Sequence, residues 1–131
     1  MLFDQWYRPG NLTGAKWRLF LEAIARMKTW PGYFIVYNGP VSPSFHKCYK
    51  GTAIEKLEKQ YAMNVAKAVE GLSNVRFVDF FSKVDLGLSD DFFHDSHHLN
   101  TKGAKAFTDF WRKQIANAGL INVRAPAGIG H

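Results

Sequence analysis

The sequence has little cysteine and no long apolar stretch, and these shortages exclude several classes of protein. Its 131 residues include a single cysteine, Cys48, so an intrachain disulfide framework and a four-cysteine metal site are both ruled out. No stretch reaches membrane-spanning length, and the start, MLFDQWYRPG, lacks the basic residues and the long apolar core of a signal peptide. We therefore expect no membrane segment in this chain, and its compartment stays open.

Signatures of nucleic-acid binding are missing as well. The formal net charge is +6, but the lysines are scattered, mostly at positions that an amphipathic helix turns toward water. The sequence has no zinc-finger spacing, no aromatic RNA-recognition motif and no basic run. We therefore expect no nucleic-acid partner.

What the sequence has in quantity is core material. Hydrophobic residues make up 47% and aromatic residues 15% of the chain, which is typical of a globular protein. The length allows one domain with one core. We expect a single, partial α/β domain over residues 1–131, with an ordered core at about 14–117 and an irregular tail at 120–131.

Hydrophobic periodicity predicts two helices in the first part of the chain. The first helix spans Thr13–Met27, and its apolar stripe consists of Trp17, Phe20, Ile24 and Met27. In the second, Thr52 and Glu55 form a capping box and Gly71 closes the helix. The apolar stripe of this second helix consists of Ile54, Leu57, Tyr61, Val65, Ala68 and Leu72.

Two strands and a third helix complete the predicted elements. Tyr33–Tyr37 is apolar on both faces, as in a strand covered on both sides, and Val75–Asp79 is a second strand that ends in aspartate. The third helix begins near Asn100 or Thr101 and stops at Gly119, with a buried stripe of Ala104, Phe107, Trp111 and Ile115.

Strand, helix and strand in this order predict a βαβ unit with parallel strands. A loop at Asn38–Ser44 follows the first strand at its C-terminal end. A two-stranded parallel sheet leaves its edges uncovered. The N-terminal residues, a partner chain or the missing half of a larger α/β domain would complete it.

The stretch DFFHDSHHLN, residues 91–100, holds three histidines and invites three interpretations. His94 and His98 stand four apart and Asp95 adds an oxygen, as in a metal site, but the glutamate of an H-E-x-x-H motif is absent. Alternatively, this is a polar loop before a helix that Asn100 caps. The third interpretation is a histidine general base oriented by a carboxylate.

Two pairs have the spacing that the third interpretation needs: Asp91 with His94, and Asp95 with His98. A carboxylate bound to one ring nitrogen selects the tautomer whose other nitrogen can accept a proton. Loops after strand C-termini converge on one crevice in doubly wound sheets. The motif should therefore share an edge of the sheet with Asn38 and the NGPVSP loop.

The stretch FFHDSHHLNTKGAKAFTDFW resembles the C-terminal block of the SGNH (GDSL-like) hydrolases and acyltransferases, most closely bacterial members related to alginate O-acetyltransferases and teichoic-acid D-alanyl transfer proteins. The matching residues are Asp95, His98, Leu99, Asn100, Gly103, Ala104, Phe107 and Thr108. The resemblance covers most of residues 14–117. It implies a flavodoxin-like three-layer α/β/α fold, and a Ser-His-Asp triad in which Asp95 orients His98.

The resemblance further implies an acyl ester or acetylated glycan as substrate, no cofactor, and no metal. His94, His97 and Asn38 are candidate pocket-lining residues. The sequence departs from the family because it has no Gly-Asp-Ser element and no G-x-N-D element, so both the nucleophile and the oxyanion-hole residues are missing. We therefore expect the C-terminal portion of such an esterase or acyltransferase, inactive alone.

The alternative is a non-catalytic α/β interaction module, with Trp6 and Tyr7 as part of its surface. A metal-binding His/Asp site is the third hypothesis. Members of the family are often exported or membrane-anchored, but the sequence contains no signal that would assign this chain to a compartment.

Overall fold

A computed structural model of the chain describes residues 13–81 and 86–117. Over these ranges the protein is a small mixed α/β unit with four α-helices and a two-stranded parallel sheet. The elements are α1 (Ala15–Met27), β1 (Phe34–Asn38), α2 (Pro43–Tyr49), α3 (Ala53–Val69), β2 (Val75–Asp79), a 3-10 helix (Asp90–Phe92) and α4 (Thr101–Asn117). The predictions for Trp6, Tyr7, Gly119, the tail and a further N-terminal strand lie outside the described residues.

The two strands pair in parallel, as the βαβ order predicts. Phe34 lies opposite Val75, and Asn38 lies opposite Asp79, so both strands end at the same edge of the sheet. The second strand has its predicted bounds, whereas β1 is shifted by one residue, since it begins at Phe34 and ends at Asn38, which was predicted to open the loop. The expectation that β1 is covered on both faces is confirmed only in part. Val36 packs into the core on one face, whereas on the other Tyr37 contacts Phe107 and Trp111 of α4 but stays 52% exposed.

The main core lies on one face of this sheet. Ile24 of α1, Val69 of α3 and Val75 of β2 form its buried centre. Around them pack the partly buried residues Phe20, Met27, Phe34, Val36, Leu72 and Phe77. The predicted stripe of α1 is thus confirmed as its inward face, because a helix buries residues at three- and four-residue spacing.

The start of α3 differs in detail from a capping box. The Glu55 carboxylate accepts the Gly51 N–H at 2.6 Å, and the hydroxyl of Thr52 donates to the Tyr49 carbonyl. Both side chains therefore tie α3 to the end of α2 instead of capping each other. Of the predicted α3 stripe, Val65 is fully buried, and the other buried positions of the helix are Ala62 and Val69.

Helix α2 was not predicted, since a loop was expected up to Ser44. It begins at Pro43, and the hydroxyl of Ser42 caps it by accepting the Phe45 N–H at 3.3 Å. Serine before proline is a favourable start for a helix, because proline needs no N–H partner in the first turn. The helix then buries Phe45 and Tyr49 in a second cluster with Phe81.

Helix α4 begins where predicted. Ala104, however, is exposed, and the buried residue of the first turn is Gly103. An aromatic cluster joins this helix to the strand ends and consists of Tyr37, Phe80, Phe107, Phe110 and Trp111. Among the described residues, no helix combines the length and the apolar character needed to cross a membrane.

Candidate functional site

Residues 94–98, HDSHH, form a closed loop that we call the motif loop. An antiparallel bridge between Phe93 and Leu99 closes its base. Across this base the His94 N–H donates to the His98 carbonyl at 2.7 Å. The loop is therefore a short hairpin that presents its side chains outward, since Phe93 is buried and His94, Asp95 and His98 are exposed.

Asp95 and His98 form a direct contact inside this loop. The Nδ1 atom of His98 lies 2.8 Å from both carboxylate oxygens of Asp95. The same carboxylate accepts the backbone N–H groups of His97 and His98, each at 2.9 Å. Aspartate commonly accepts backbone donors two residues further along the chain in tight turns. Here these backbone hydrogen bonds also hold the carboxylate against the imidazole.

These hydrogen bonds set the electrostatics of the pair. The backbone N–H of His97 and the ring of His98 lower the pKa of Asp95 from 3.8 to about 2, so its carboxylate is ionised at neutral pH. An ionised carboxylate only accepts, so Nδ1 of His98 is the donor and Nε2 is the basic nitrogen of a neutral ring. His98 is 77% exposed, and in the described part of the chain its ring bonds only to Asp95.

The alternative pair, Asp91 with His94, is not formed. Asp91 accepts from the Ser89 hydroxyl and from the Lys102 ammonium, and both lower its pKa. His94 is exposed and takes part in the loop through its backbone. Within the described ranges no group of three or more potential ligands is placed to hold a metal ion.

His97 faces helix α2. Its ring lies 4.4 Å from the Phe45 ring, centroid to centroid, and its Nδ1 is 2.7 Å from the Ser96 hydroxyl. Loss of hydration lowers the pKa of His97, while the Asp95 charge acts in the opposite direction. The ring of His97 is thus a contact between loop and helix.

The motif loop shares an edge of the sheet with the segment after β1, as predicted. The Ser42 N–H donates to the Ser96 carbonyl at 3.0 Å. Ser44 donates to the Asp90 carboxylate through its N–H, at 3.0 Å, and through its hydroxyl. The Asn38 amide instead donates to Glu58 at 3.3 Å, and no hydrogen bond joins it to the motif loop within the described ranges.

Glu58 is a residue that sequence reasoning missed. It is half-buried at the carboxyl end of the strands, and its pKa is raised by burial first and by the charge of Asp79 as well, against the effect of the Asn38 hydrogen bond. The sequence indicated this burial, because Glu58 stands four residues from both Ile54 and Ala62 and therefore lies on the inward face of α3. A carboxylate on the inward face of a helix is removed from water and is usually paired with a hydrogen-bond donor.

Comparison of the chain with protein-family models, with curated proteins and with solved structures found no match. The residues of the motif loop therefore carry the only indication of function in the described part of the chain. Their central feature is an exposed histidine whose Nδ1 is held by an ionised aspartate.

Proposed function

We propose that this chain carries the Asp/His half of a Ser-His-Asp triad in an ester hydrolase or O-acyltransferase of the SGNH type. The observation that carries the proposal is the pair of 2.8 Å contacts between His98 Nδ1 and the Asp95 carboxylate. This is the arrangement that fixes a general base, because Asp95 selects the tautomer with a basic Nε2 and stabilises the imidazolium that forms.

In this proposal the His98 Nε2 removes the hydroxyl proton of a serine as the serine oxygen attacks the acyl carbonyl. The leaving alcohol takes that proton when the tetrahedral intermediate collapses to an acyl-enzyme. His98 then activates water for hydrolysis, or a sugar hydroxyl for transfer. An acyl ester or acetylated glycan is the substrate class that the motif favours.

The wider fold in the proposal is a flavodoxin-like α/β/α arrangement of which these residues form the C-terminal portion. Its support is the parallel pairing of β1 with β2 and the placement of the motif loop against the segment that follows β1. In open α/β sheets, ligands bind beyond the carboxyl ends of the strands.

The proposal requires that the serine and the oxyanion donors come from outside these 131 residues. The sequence contains no Gly-Asp-Ser element. The hydroxyls of Ser44, Ser89 and Ser96 contact Asp90, Asp91 and His97 respectively, none of them His98. Since the nucleophile and the oxyanion hole supply most of the transition-state stabilisation, the chain alone should be inactive.

Turnover of p-nitrophenyl acetate tests this proposal. We expect none above background from the 131-residue chain, and turnover when it is co-expressed with a polypeptide from the adjoining coding sequence that carries a Gly-Asp-Ser element. His98→Ala should abolish that turnover, whereas His94→Ala, a change at an exposed histidine of the same loop, should retain it. Substantial turnover by the chain alone that is lost in His98→Ala would contradict inactivity in isolation, and equal turnover in both variants would contradict the assigned base.

A second candidate is a non-catalytic α/β module that binds a partner chain. It is supported by Tyr33 and Tyr37, which stand four residues apart and therefore point to the same side of the extended segment at β1, and which are 62% and 52% exposed. Large apolar side chains grouped on a surface mark interaction sites more often than isolated ones do. Light scattering after size-exclusion chromatography separates the cases, because a stable monomer argues against this module.

A further inference from the structure

Helix α2 and its N-terminal cap contact the motif loop at Ser96 and His97. The Ser42 N–H donates to the Ser96 carbonyl at 3.0 Å, and the Phe45 ring packs on the His97 ring with centroids 4.4 Å apart. Ser42 and Phe45 are both buried, with 7% of their surface exposed. Ser96 and His97 are the two residues between Asp95 and His98, so α2 touches the turn that joins the pair.

These two contacts come from one hydrogen-bonded turn. The Ser42 hydroxyl accepts the Phe45 N–H at 3.3 Å, so the residues that contact Ser96 and His97 are bonded to each other. Phe45 is in turn held by the cluster with Tyr49 and Phe81. A change in the first turn of α2 would therefore be transmitted to both contacts.

The Asp95–His98 contact has little strength of its own. Both side chains are exposed, at 50% and 77%, and such a contact is weakened by solvent screening and by the entropy cost of ordering two side chains. The backbone donors that hold the carboxylate belong to His97 and His98, so they keep their direction only while the turn is held. The hydrogen bond from Ser42 to Ser96 and the contact between the Phe45 and His97 rings, both made by the turn itself, supply that order.

We infer that the first turn of α2 is a platform that positions the Asp95–His98 pair, with Phe45 and His97 as positioning residues. The inference deepens the proposed function and rests on it for the role of His98. Phe45 and His97 act on the reaction only through the direction in which the His98 ring is held. The packing of one ring on the other fixes His97, and His97 fixes the backbone N–H groups that bind Asp95.

The tautomer of His98 reports on this platform directly. Nitrogen-15 chemical shifts distinguish a neutral histidine protonated at Nδ1 from one protonated at Nε2. We expect the Nδ1–H form to dominate in the unmodified chain. In Phe45→Leu, which removes the ring but keeps apolar volume, that population should fall toward the mixture of a free histidine, and the His97 and His98 amide protons should exchange about tenfold faster.

Phe81→Leu is the matched control, because Phe81 lies in the same apolar cluster as Phe45. It should lower global stability by a similar amount and leave the tautomer unchanged. His97→Ala should reproduce the effect of Phe45→Leu, and His97→Phe, which retains a ring, should restore the slow amide exchange of His98. An unchanged tautomer in Phe45→Leu, or an equal change in Phe81→Leu, would overturn the inference.

The proposed function fails in a distinguishable way. If His98 of the unmodified chain lacks the Nδ1–H form, or if Asp95→Asn leaves its tautomer unaltered, the oriented base itself is contradicted. A tautomer that depends on Asp95 but not on Phe45 contradicts the platform alone.

Discussion

The backbone carbonyl of Phe92 occupies the space that a side chain at Gly103 would need. A Cβ atom at this glycine would overlap the Phe92 oxygen and lie 2.9 Å from Leu99 Cδ2. The first turn of α4 therefore lies so close to the backbone of the 3-10 helix that only glycine fits between them. Because Phe92 and Leu99 flank the motif loop on its two sides, this approach holds both ends of the loop against α4.

Gly103→Ala should lower the free energy of unfolding although alanine is the better helix former. Crowding against backbone costs about 1–3 kcal/mol, against a gain of about 1 kcal/mol in helix propensity. Urea unfolding measures the difference. Ala104→Gly, at the exposed neighbour, isolates the propensity effect and should cost about 1 kcal/mol. A Gly103→Ala variant that is more stable than the parent would contradict the close contact between Gly103 and the Phe92 backbone.

Asn100 should contribute to stability through both ends of its amide. Its Oδ1 accepts the Gly103 N–H at 3.0 Å, and its Nδ2 donates to the carbonyl of Asp91 at 2.7 Å and to that of Phe93 at 3.4 Å. Loss of all three in Asn100→Ala should cost about 1–2 kcal/mol in urea unfolding. Asn100→Ser keeps a cap acceptor and places no charge beside the two carbonyls, so its loss should be smaller. Equal losses in the two variants would contradict a contribution from the cap.

The motif loop should loosen in acid. Folding lowers the pKa of Asp95 from its ordinary value of 3.8 to about 2. The ionised carboxylate therefore stabilises the folded loop fully at pH values above 3.8, and this stabilisation is lost as the pH falls from about 4 through 2. The amide shifts of His97 and His98 should titrate in that window and stay flat in Asp95→Asn. Local shifts are needed because the pKa values of Asp90 and Asp109 are also lowered.

Glu58→Gln should raise the free energy of unfolding at pH 7. Burial raises the pKa of Glu58, so the folded state binds this proton more tightly and loses stability as the pH rises through that pKa. Glutamine is neutral and can still accept from Asn38, so the gain should disappear below about pH 4.5, the ordinary pKa. Glu55→Gln on the same helix is the control with the opposite sign, because hydrogen bonds from Lys59 and Gly51 lower the pKa of Glu55. A gain in both variants would contradict the assignment.

Short-range chemistry made much of the site predictable. Asp95, His98 and Asn100 lie within six residues, so the turn, the carboxylate–imidazole contact and the start of α4 depend on local hydrogen bonds that spacing reveals. The same holds for β2, whose bounds follow from a short apolar run. Spacing did not distinguish the two candidate pairs, however, because both have an aspartate three residues before a histidine. What engages Asp91 is the ammonium group of Lys102, eleven residues further along the chain.

The sequence by itself determined the α/β class, the parallel strand order and the residues of the Asp95–His98 pair. The pair is a contact between near neighbours, and two strands joined through a helix pair in parallel. Tertiary structure alone decided that α2 packs on His97, that Glu58 lies half-buried beside Asn38, and that Gly103 admits no side chain. These depend on contacts between segments 11 to 52 residues apart in the chain. Periodicity and element order indicate which elements lie at the same edge of the sheet, but the individual side-chain contacts between distant segments are selected only when the sheet and its helices pack.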